Sequence, residues 1–221
     1  MKIETYAANG VEFESQYWSE MYANDDESII DGVVNAREHA LYLKAILTLQ
    51  DIEVNSLGDF GFGLGVLLKA IVPIFPITKI VAIDPSLYSV NKLIQSRWAK
   101  EQNIAIHHAS LPEFHSEYLY KHPLDLSICN SVLQYVPDKK VEECFLKLSK
   151  MTKYLYFCVP TSADYQMMKE EINFMDPYAY SRPKEFYRKL FGKFFRVVSH
   201  NLLESIETVP RTKFIFDLFR Y

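Results

Sequence analysis

Residues Val54–Gly65 read VNSLGDFGFGLG, and the rest of the sequence is best understood outward from this segment. Its apolar first half predicts a strand over Val54–Phe60, and the following residues predict a helix over Gly65–Ile71 that ends before Pro73. Four of the seven glycines of the chain lie between positions 58 and 65. Glycines at a strand-to-helix turn allow a sharp bend and a close approach by a ligand, so this turn is a candidate binding site.

An acidic residue follows the glycines at the distance expected of an acid that binds a ribose. Lys79–Asp84 (KIVAID) predicts the next strand, and Asp84 ends it about 20 residues after the glycine turn, where an acid can accept hydrogen bonds from a ribose diol. A strand, a glycine turn, a helix and a terminal acid together favour a nucleoside site. A tight turn with an incidental aspartate remains the alternative.

The glycine spacing departs from the dinucleotide fingerprint G-x-G-x-x-G, because the third glycine here follows the second after two positions. Asp59 also precedes Gly61 by two positions. A carboxylate there would repel a pyrophosphate and attract an ammonium group. The segment therefore favours a nucleoside with a cationic tail, and it disfavours the alternative of an NAD-dependent oxidoreductase.

Two segments resemble the class I S-adenosylmethionine-dependent methyltransferases. Asp59–Gly65 is similar to their first motif, E/D-x-G-x-G-x-G, and Leu124–Asp138 (LDLSICNSVLQYVPD) resembles their fourth-strand signature, commonly FDLVLCSEVLEHVPD. The resemblance covers roughly residues 50–160. It implies S-adenosyl-L-methionine as cofactor and methyl transfer to a small-molecule acceptor as activity.

The resemblance also implies which residues hold the cofactor. Asp59 and the glycines would hold its methionine end, Asp84 the ribose hydroxyls, and Pro85 would lie beside the adenine. Ser110 stands where the family usually has an acid at the adenine edge, so a serine hydroxyl replaces a carboxylate there. The complete implied set is Asp59, Phe60, Gly61, Gly63, Gly65, Asp84, Pro85, Ser110, Leu111, Asn130, Ser131 and Leu133.

Apolar runs alternate with helical periodicity after residue 54, which predicts an α/β fold with a mostly parallel sheet covered on both faces. The resemblance implies a three-layer α/β/α sandwich whose seven-stranded sheet ends in a reversed C-terminal hairpin. The two last predicted strands are Phe194–His200 and Phe214–Phe219. We expect one domain over residues 1–221, with an N-terminal helical cap (1–50), a cofactor-binding core (51–160), a lid or substrate insertion (161–183) and a C-terminal helix with strands (184–221).

Candidate acceptor-binding residues are Tyr17, Tyr22, Arg37, Tyr135 and Tyr165. Residues 161–183 are rich in Met, Phe and Tyr, which suits a lid that excludes water, although a helix packed on the body would explain the same spacing. Arg37 could bind a carboxylate or form a surface ion pair. His39 is a candidate general base, but the sequence favours a surface or half-buried helix histidine. No catalytic residue is assigned.

Composition limits the remaining possibilities. The 221 residues carry a net charge of −4, which argues against nucleic acid as partner. Three cysteines without a CxxC pair predict no disulfide framework, no metal site and a cytoplasmic location. Neither a signal peptide nor a membrane span is expected. A basic excess after residue 182 leaves a phosphorylated or carboxylated acceptor open, as are a homodimer and a cofactor-binding protein without transfer activity.

Overall fold

The structure is a computed structural model that describes residues 33–214. Its helices are α1 (Val33–Leu49), α2 (Val66–Ile71), α3 (Leu87–Gln95), α4 (Arg97–Glu101), α5 (Glu117–Lys121), α6 (Asp138–Met151), α7 (Ser162–Ile172) and α8 (Lys184–Phe191). Its strands are β1 (Ser56–Phe60), β2 (Lys79–Asp84), β3 (Ile104–His108), β4 (Leu124–Asn130), β5 (Thr152–Cys158), β6 (Phe195–Ser199) and β7 (Leu202–Ser205). Short 3₁₀ turns occupy Val72–Ile74 and Leu133–Tyr135.

These strands form one sheet in the order β3-β2-β1-β4-β5-β7-β6. Strands β1 to β5 pair in parallel, whereas β7 lies antiparallel to both β5 and β6. The strand order reverses between β1 and β4, and ligands of open α/β sheets bind at such a switch point. The predicted fold class, with its reversed C-terminal hairpin, is confirmed.

The strand that pairs with β6 differs from the prediction. The seventh strand of the described residues is Leu202–Ser205, which forms a hairpin with β6 through Asn201, a residue at φ +53. All four β7 residues are buried, so the alternation that marks a half-buried strand is missing from the sequence. Of the predicted Phe214–Phe219 strand, Phe214 is described, and it packs on Tyr154 outside any strand. The remainder lies outside the described residues.

Apolar side chains cover both faces of the sheet. On one face, Ala40, Leu43 and Leu47 of α1 pack in a buried cluster with strand residues such as Leu57 and Leu126. The other face carries a second buried cluster, to which α6 and α8 contribute Val141, Phe145, Leu148 and Tyr187. A parallel sheet needs this cover on both faces, which explains why β1, β2, β4 and β5 are buried over most of their length and why β2 carries the continuous apolar run Ile80–Ile83.

The predicted apolar face of α1 is the face that the structure buries: Ala36, Ala40, Leu43 and Leu47 are all buried. A shorter amphipathic helix predicted around Phe13–Met21 lies outside the described residues. Among the helices of residues 33–214, none is long and apolar enough to cross a membrane.

Candidate functional site

A cavity of about 620 Å³ opens at the carboxyl ends of β1, β2, β4 and β5. Its size falls within the range of ~300–1,000 Å³ that is usual for small-molecule sites. One side, which we call the strand-end wall, consists of Asp59, Gly61, Gly63, Asp84 and Asn130. The first turns of α1 and the N-terminal half of α7 contribute the opposite sides.

The glycine turn is shaped by backbone conformations that favour glycine. Gly61, Gly63 and Gly65 have φ values of 93°, 54° and 72°. A Cβ on Gly61 would lie only 2.4 Å from Val132 Cγ2, and the Gly61 N–H donates to the Ile83 carbonyl at 2.8 Å. The turn is therefore held against β2 and against the segment after β4, and its backbone faces the cavity without side chains.

Asp84 is buried at the end of β2 and bonded on both oxygens. Its Oδ2 accepts from the Gly63 N–H and its Oδ1 from the Ser86 N–H, both at 2.8 Å. Burial raises the pKa of Asp84 to about 6, while these two hydrogen bonds act in the opposite direction. A carboxylate oxygen has two lone pairs, so each oxygen can still accept a hydrogen bond from a ligand in the cavity.

Asp59 is buried, and within residues 33–214 no donor forms a hydrogen bond with its carboxylate. Burial, followed by the nearby Asp84, raises the pKa of Asp59 well above its usual range. A buried carboxylate without a donor is costly unless a ligand satisfies it. This acid fits the ammonium group of an amino-acid tail, which would supply the missing donor and a compensating charge.

The two acids lie close together on one face of the sheet. Asp59 is paired with Ala82, and Asp84 is two residues farther along the neighbouring strand. One strand spacing and a two-residue rise place their Cα atoms about 8 Å apart. Both side chains line the same cavity. A nucleoside with an amino-acid tail can therefore span from one acid to the other.

The last residue of β4, Asn130, and the segment that follows it line the cavity. The lining residues of that segment are Ser131, Val132 and Tyr135. Ser131 has φ +55, and its N–H donates to the Cys158 carbonyl at 2.9 Å. This bond fixes the segment against the end of β5. The Tyr135 hydroxyl donates to Asp176 Oδ2 at 2.5 Å, so Tyr135 joins this wall to the 161–183 segment.

Several predicted site residues lie elsewhere. Phe60 packs against Phe114 in the core, with ring centroids 6.1 Å apart. The Ser110 hydroxyl is buried and donates to Glu113 Oε2 at 2.7 Å. The predicted residues outside the lining of the cavity are Phe60, Gly65, Ser110, Leu111, Leu133, Arg37 and Tyr165. Tyr17 and Tyr22 lie outside the described residues, and the roles of all these side chains stay predictions.

Helix α7 closes one side of the cavity with a single face, which we call the α7 face: Thr161, Asp164, Met167 and Met168. Residues spaced by three, four or seven positions share one side of a helix. Thr161 and Asp164 form a reciprocal capping box that begins the helix. No residue of α7 is fully buried, so this helix rests on the cavity rather than in the core.

Arg182 attaches the 161–183 segment to the body, a role that sequence patterns did not reveal. Its guanidinium is buried and donates to the Leu133 carbonyl at 2.8 Å, to the Val136 carbonyl and to Asp138 Oδ1 at 2.9 Å. The Arg182 carbonyl in turn accepts from the Ser162 N–H at 2.7 Å. The two ends of the segment are thus joined, and the cation is held by contacts more than 40 positions away in sequence.

His39 lies in the wall of the cavity, half-buried, with its Nδ1 hydrogen-bonded to the Tyr156 hydroxyl. Tyr156 occupies the same row of the sheet as Asp59, two strands away, which is about 10 Å. Burial raises the pKa of Tyr156 to about 12, and a hydrogen bond from Asn201 acts against that rise. The helical spacing correctly indicated a half-buried histidine but not the cavity, because the Tyr156 contact spans 117 positions.

Other cavity residues also escaped the sequence analysis. Asn35 precedes His39 by one helical turn, and His200 and Asn201 come from the β6–β7 turn. Their only sequence signal was the polar pair at a strand boundary. Among residues 33–214, no group of His, Cys, Asp and Glu side chains could hold a metal ion.

No family model matches the sequence, and no curated protein matches it either. Among solved structures, magnesium protoporphyrin IX methyltransferase (ChlM) from Synechocystis PCC 6803 with bound S-adenosylhomocysteine is 17% identical, with a TM-score of 0.58 over 87% of this chain and 94% of that one. N-methyltransferase NodS from Bradyrhizobium japonicum WM9 is 14% identical, with a TM-score of 0.57 over 81% of this chain and 98% of that one. The plantazolicin methyltransferase BpumL, in complex with S-adenosylhomocysteine, is 14% identical, with a TM-score of 0.61 over 79% and 70%.

The fold is therefore that of the class I S-adenosylmethionine-dependent methyltransferases, as the resemblance of Asp59–Gly65 and Leu124–Asp138 predicted. At these identities the similarity concerns the fold. What this chain binds and does has to be argued from its own cavity.

Proposed function

We propose that this protein binds S-adenosyl-L-methionine and transfers its methyl group to a small-molecule acceptor. One observation carries the proposal: Asp59 and Asp84 are buried in one cavity on neighbouring strands, with Asp59 just before the glycine turn and Asp84 hydrogen-bonded to its Gly63 N–H. Asp59 lacks a donor within the described residues and fits an ammonium group. Asp84 fits a ribose diol.

The residues around these acids would share the work of binding and orientation. Asp84 accepts hydrogen bonds from the ribose hydroxyls while its backbone bonds to Gly63 and Ser86 hold it in place. Asp59 accepts from the ammonium group. Pro85 borders the cavity beyond Asp84, on the side proposed for the adenine. Gly61 and Gly63 let the ligand lie against the backbone.

The bound cofactor supplies a methyl group already activated on a sulfonium. The protein then has to hold the acceptor in line and keep water out. Asn130 and Ser131 lie between the two acids and the α7 face, and we assign them to the sulfonium side of the cavity. The α7 face closes this side, and Tyr135 joins it to the body through Asp176.

Calorimetric titration tests the binding step. We expect S-adenosylmethionine and S-adenosylhomocysteine to compete for one site. Asp84→Ala should weaken both by about 1–3 kcal/mol, because a hydrogen-bond acceptor for the ribose is lost. Glu53→Ala, which changes an exposed acid outside the cavity, should leave both affinities unchanged. A wild-type protein that binds neither ligand at millimolar concentration contradicts the proposal.

Transfer itself is tested separately from binding. The loaded protein is incubated with a broad panel of small-molecule acceptors, and formation of S-adenosylhomocysteine is followed. Turnover that Asp84→Ala reduces supports methyl transfer. Binding without turnover on any acceptor would favour the alternative, a cofactor-binding protein without transfer activity. The cytoplasmic location and the homodimer remain predictions.

A further inference from the structure

Among the described residues, the cavity is lined by acidic side chains and by no permanently charged basic one. Its lining includes Asp59, Asp84 and Asp164, and no Lys or Arg of residues 33–214 lines it. Of the 24 Lys and Arg residues in the sequence, only Lys2 and Arg220 lie outside that range. All Lys and Arg side chains of the chain except these two are therefore known to lie outside the lining of the cavity.

No Lys or Arg between residues 182 and 214 lines the cavity, and three of them are engaged elsewhere. Arg182 is bonded to Asp138 and to main-chain carbonyls. Lys193 pairs with Glu142 at 2.7 Å, and Arg196 pairs with Glu204 at 3.2 Å. The basic excess in the sequence after residue 182 therefore does not supply an anion site in this cavity.

The cofactor would already use the polar groups that remain. Its carboxylate has to be satisfied by neutral donors or by a histidine, and the candidates in the lining are Asn35, His39, His200 and Asn201. An acceptor with a phosphate or carboxylate would bring a second anion, besides the carboxylate of the cofactor, into a cavity that Asp84 and Asp164 also line. Two like charges repel each other more strongly in a partly buried site than they do in water.

The side of the cavity that remains for an acceptor is largely apolar. Met167 and Met168 of the α7 face line it, as do Val159 and Pro160, which follow β5. Methionine adapts its shape and contacts aromatic rings favourably. Met167 is 49% exposed, so residues 33–214 leave part of it uncovered. An apolar body seated here would bury surface that these residues leave open.

We infer that the methyl acceptor is an uncharged or cationic small molecule with an apolar body that packs on the α7 face, and that anionic acceptors are rejected. The inference rests on the proposed function. It deepens that function by naming the acceptor class and the surface that selects it. Asp164, on the same face as Met168, contributes to the rejection of anions.

The test uses three phenols that share one ring and differ in charge: 4-ethylphenol (neutral), tyramine (cationic) and 4-hydroxyphenylacetate (anionic). Binding of each to the protein saturated with S-adenosylhomocysteine is measured at neutral pH by ligand-observed NMR titration. We expect the neutral and cationic probes to bind about tenfold or more tighter than the anion. Equal or tighter binding of the anion overturns the inference, as does the failure of all three to bind.

A charge placed on the α7 face sharpens the test. Met168→Lys should strengthen binding of the anionic probe and weaken that of tyramine, each by about threefold to tenfold. Met175→Lys is the matched control, because Met175 follows the same helix, is exposed and does not line the cavity. Equal effects of the two variants would show that the charge acts from anywhere on the surface, which contradicts selection by the α7 face.

Saturation with S-adenosylhomocysteine is established before the probes are added, so the two proposals fail in different ways. Loss of that first binding step contradicts the proposed function. Intact cofactor binding together with a preference for the anionic probe contradicts only the acceptor class.

Discussion

The two sides of the cavity are built on different physical principles. The strand-end wall consists of sheet termini and a glycine turn, and its acid Asp84 is fixed by backbone N–H groups. The α7 face belongs to a helix without a fully buried residue, attached mainly through Arg182 and a Tyr135–Asp176 bond. Strand termini fixed by a ladder open only with the core, whereas a weakly buried helix opens locally.

This difference assigns the two sides different tasks. A cofactor that never changes can be bound by groups fixed when the sheet folds. An acceptor has to enter and leave, which suits a helix that moves at low cost. The following predictions address this contrast, beginning with the largest effect.

Gly61→Ala should be the most damaging of these changes. The new Cβ would lie 2.4 Å from Val132 Cγ2, at a φ of +93 that L-residues avoid. Strain and overpacking together should lower the free energy of unfolding by about 2–4 kcal/mol, measured by urea denaturation. Gly192→Ala, at the end of α8 where φ is −58 and the new Cβ would lie 3.0 Å from the Arg188 carbonyl oxygen, is the control for a tight contact without positive φ, and it should lower the free energy of unfolding by clearly less than Gly61→Ala. Equal effects would show that the glycine turn is not rigid.

Arg182→Met should release the 161–183 segment while leaving the strand-end wall intact. The Leu133 and Val136 carbonyls lose their buried donor, which costs about 1–3 kcal/mol. Amide hydrogen exchange in α7 should accelerate, yet the affinity for S-adenosylhomocysteine should change less than under Asp84→Ala. The control is Arg188→Met on exposed α8 surface. Amide exchange in α7 that is as slow in Arg182→Met as in wild type would contradict the role of Arg182 in attaching the 161–183 segment.

The pH dependence of cofactor binding should report on the strand-end wall. The pKa of Asp84 is about 6, and ribose hydroxyls donate to its ionised form, so affinity for S-adenosylhomocysteine should rise with pH through that value. Between about pH 5 and about pH 7 the gain should be about tenfold by calorimetry, and Asp84→Asn should remove this step. A wild-type affinity that is constant over this range contradicts the assignment.

The same group makes an opposite prediction for the protein without ligand. The pKa of Asp84 is raised above its usual value, so the folded state holds more protons than the unfolded state between about pH 4 and about pH 6. The contribution of Asp84 to the free energy of unfolding should therefore decrease as pH rises through this window. Urea denaturation of wild type and Asp84→Asn at several pH values measures the difference, and parallel profiles would contradict it.

Thr161→Ala should have the smallest and most local effect. It removes the hydroxyl that accepts from the Asp164 N–H at the start of α7. Loss of such a cap costs about 1 kcal/mol. Faster amide exchange should be confined to α7, with urea denaturation of the whole protein little changed. An equal loss of global stability would place α7 within the cooperative core, against the contrast drawn above.

Sequence patterns singled out the strand-end wall residue by residue, whereas for the opposite side of the cavity they predicted only a lid or substrate insertion over residues 161–183. The glycine turn and Asp84 are encoded locally, because one strand, one turn and the next strand fix their positions. Arg182 and His39 could not be placed, since their partners Leu133 and Tyr156 lie 49 and 117 positions away. Such contacts are set by packing, and a local pattern carries no record of them.

The strand that pairs with β6 illustrates the same limit. Phe214–Phe219 has the stronger apolar pattern, yet Leu202–Ser205 forms the hairpin with β6, because the Asn201 turn brings it beside β5. Asp59 and Asn130, which belong to the two segments that carry the resemblance, line the cavity. Ser110, where the chain departs from the family pattern, and the neighbouring Leu111 do not line it.

A crystal structure with S-adenosylhomocysteine would test directly whether Asp59 and Asp84 bind opposite ends of the same ligand. Our account predicts ribose hydroxyls within hydrogen-bond distance of the Asp84 carboxylate, the homocysteine ammonium group on Asp59, and the sulfur turned toward Met168. A nucleoside that bypasses both aspartates, or that binds with its sulfur away from α7, would contradict it.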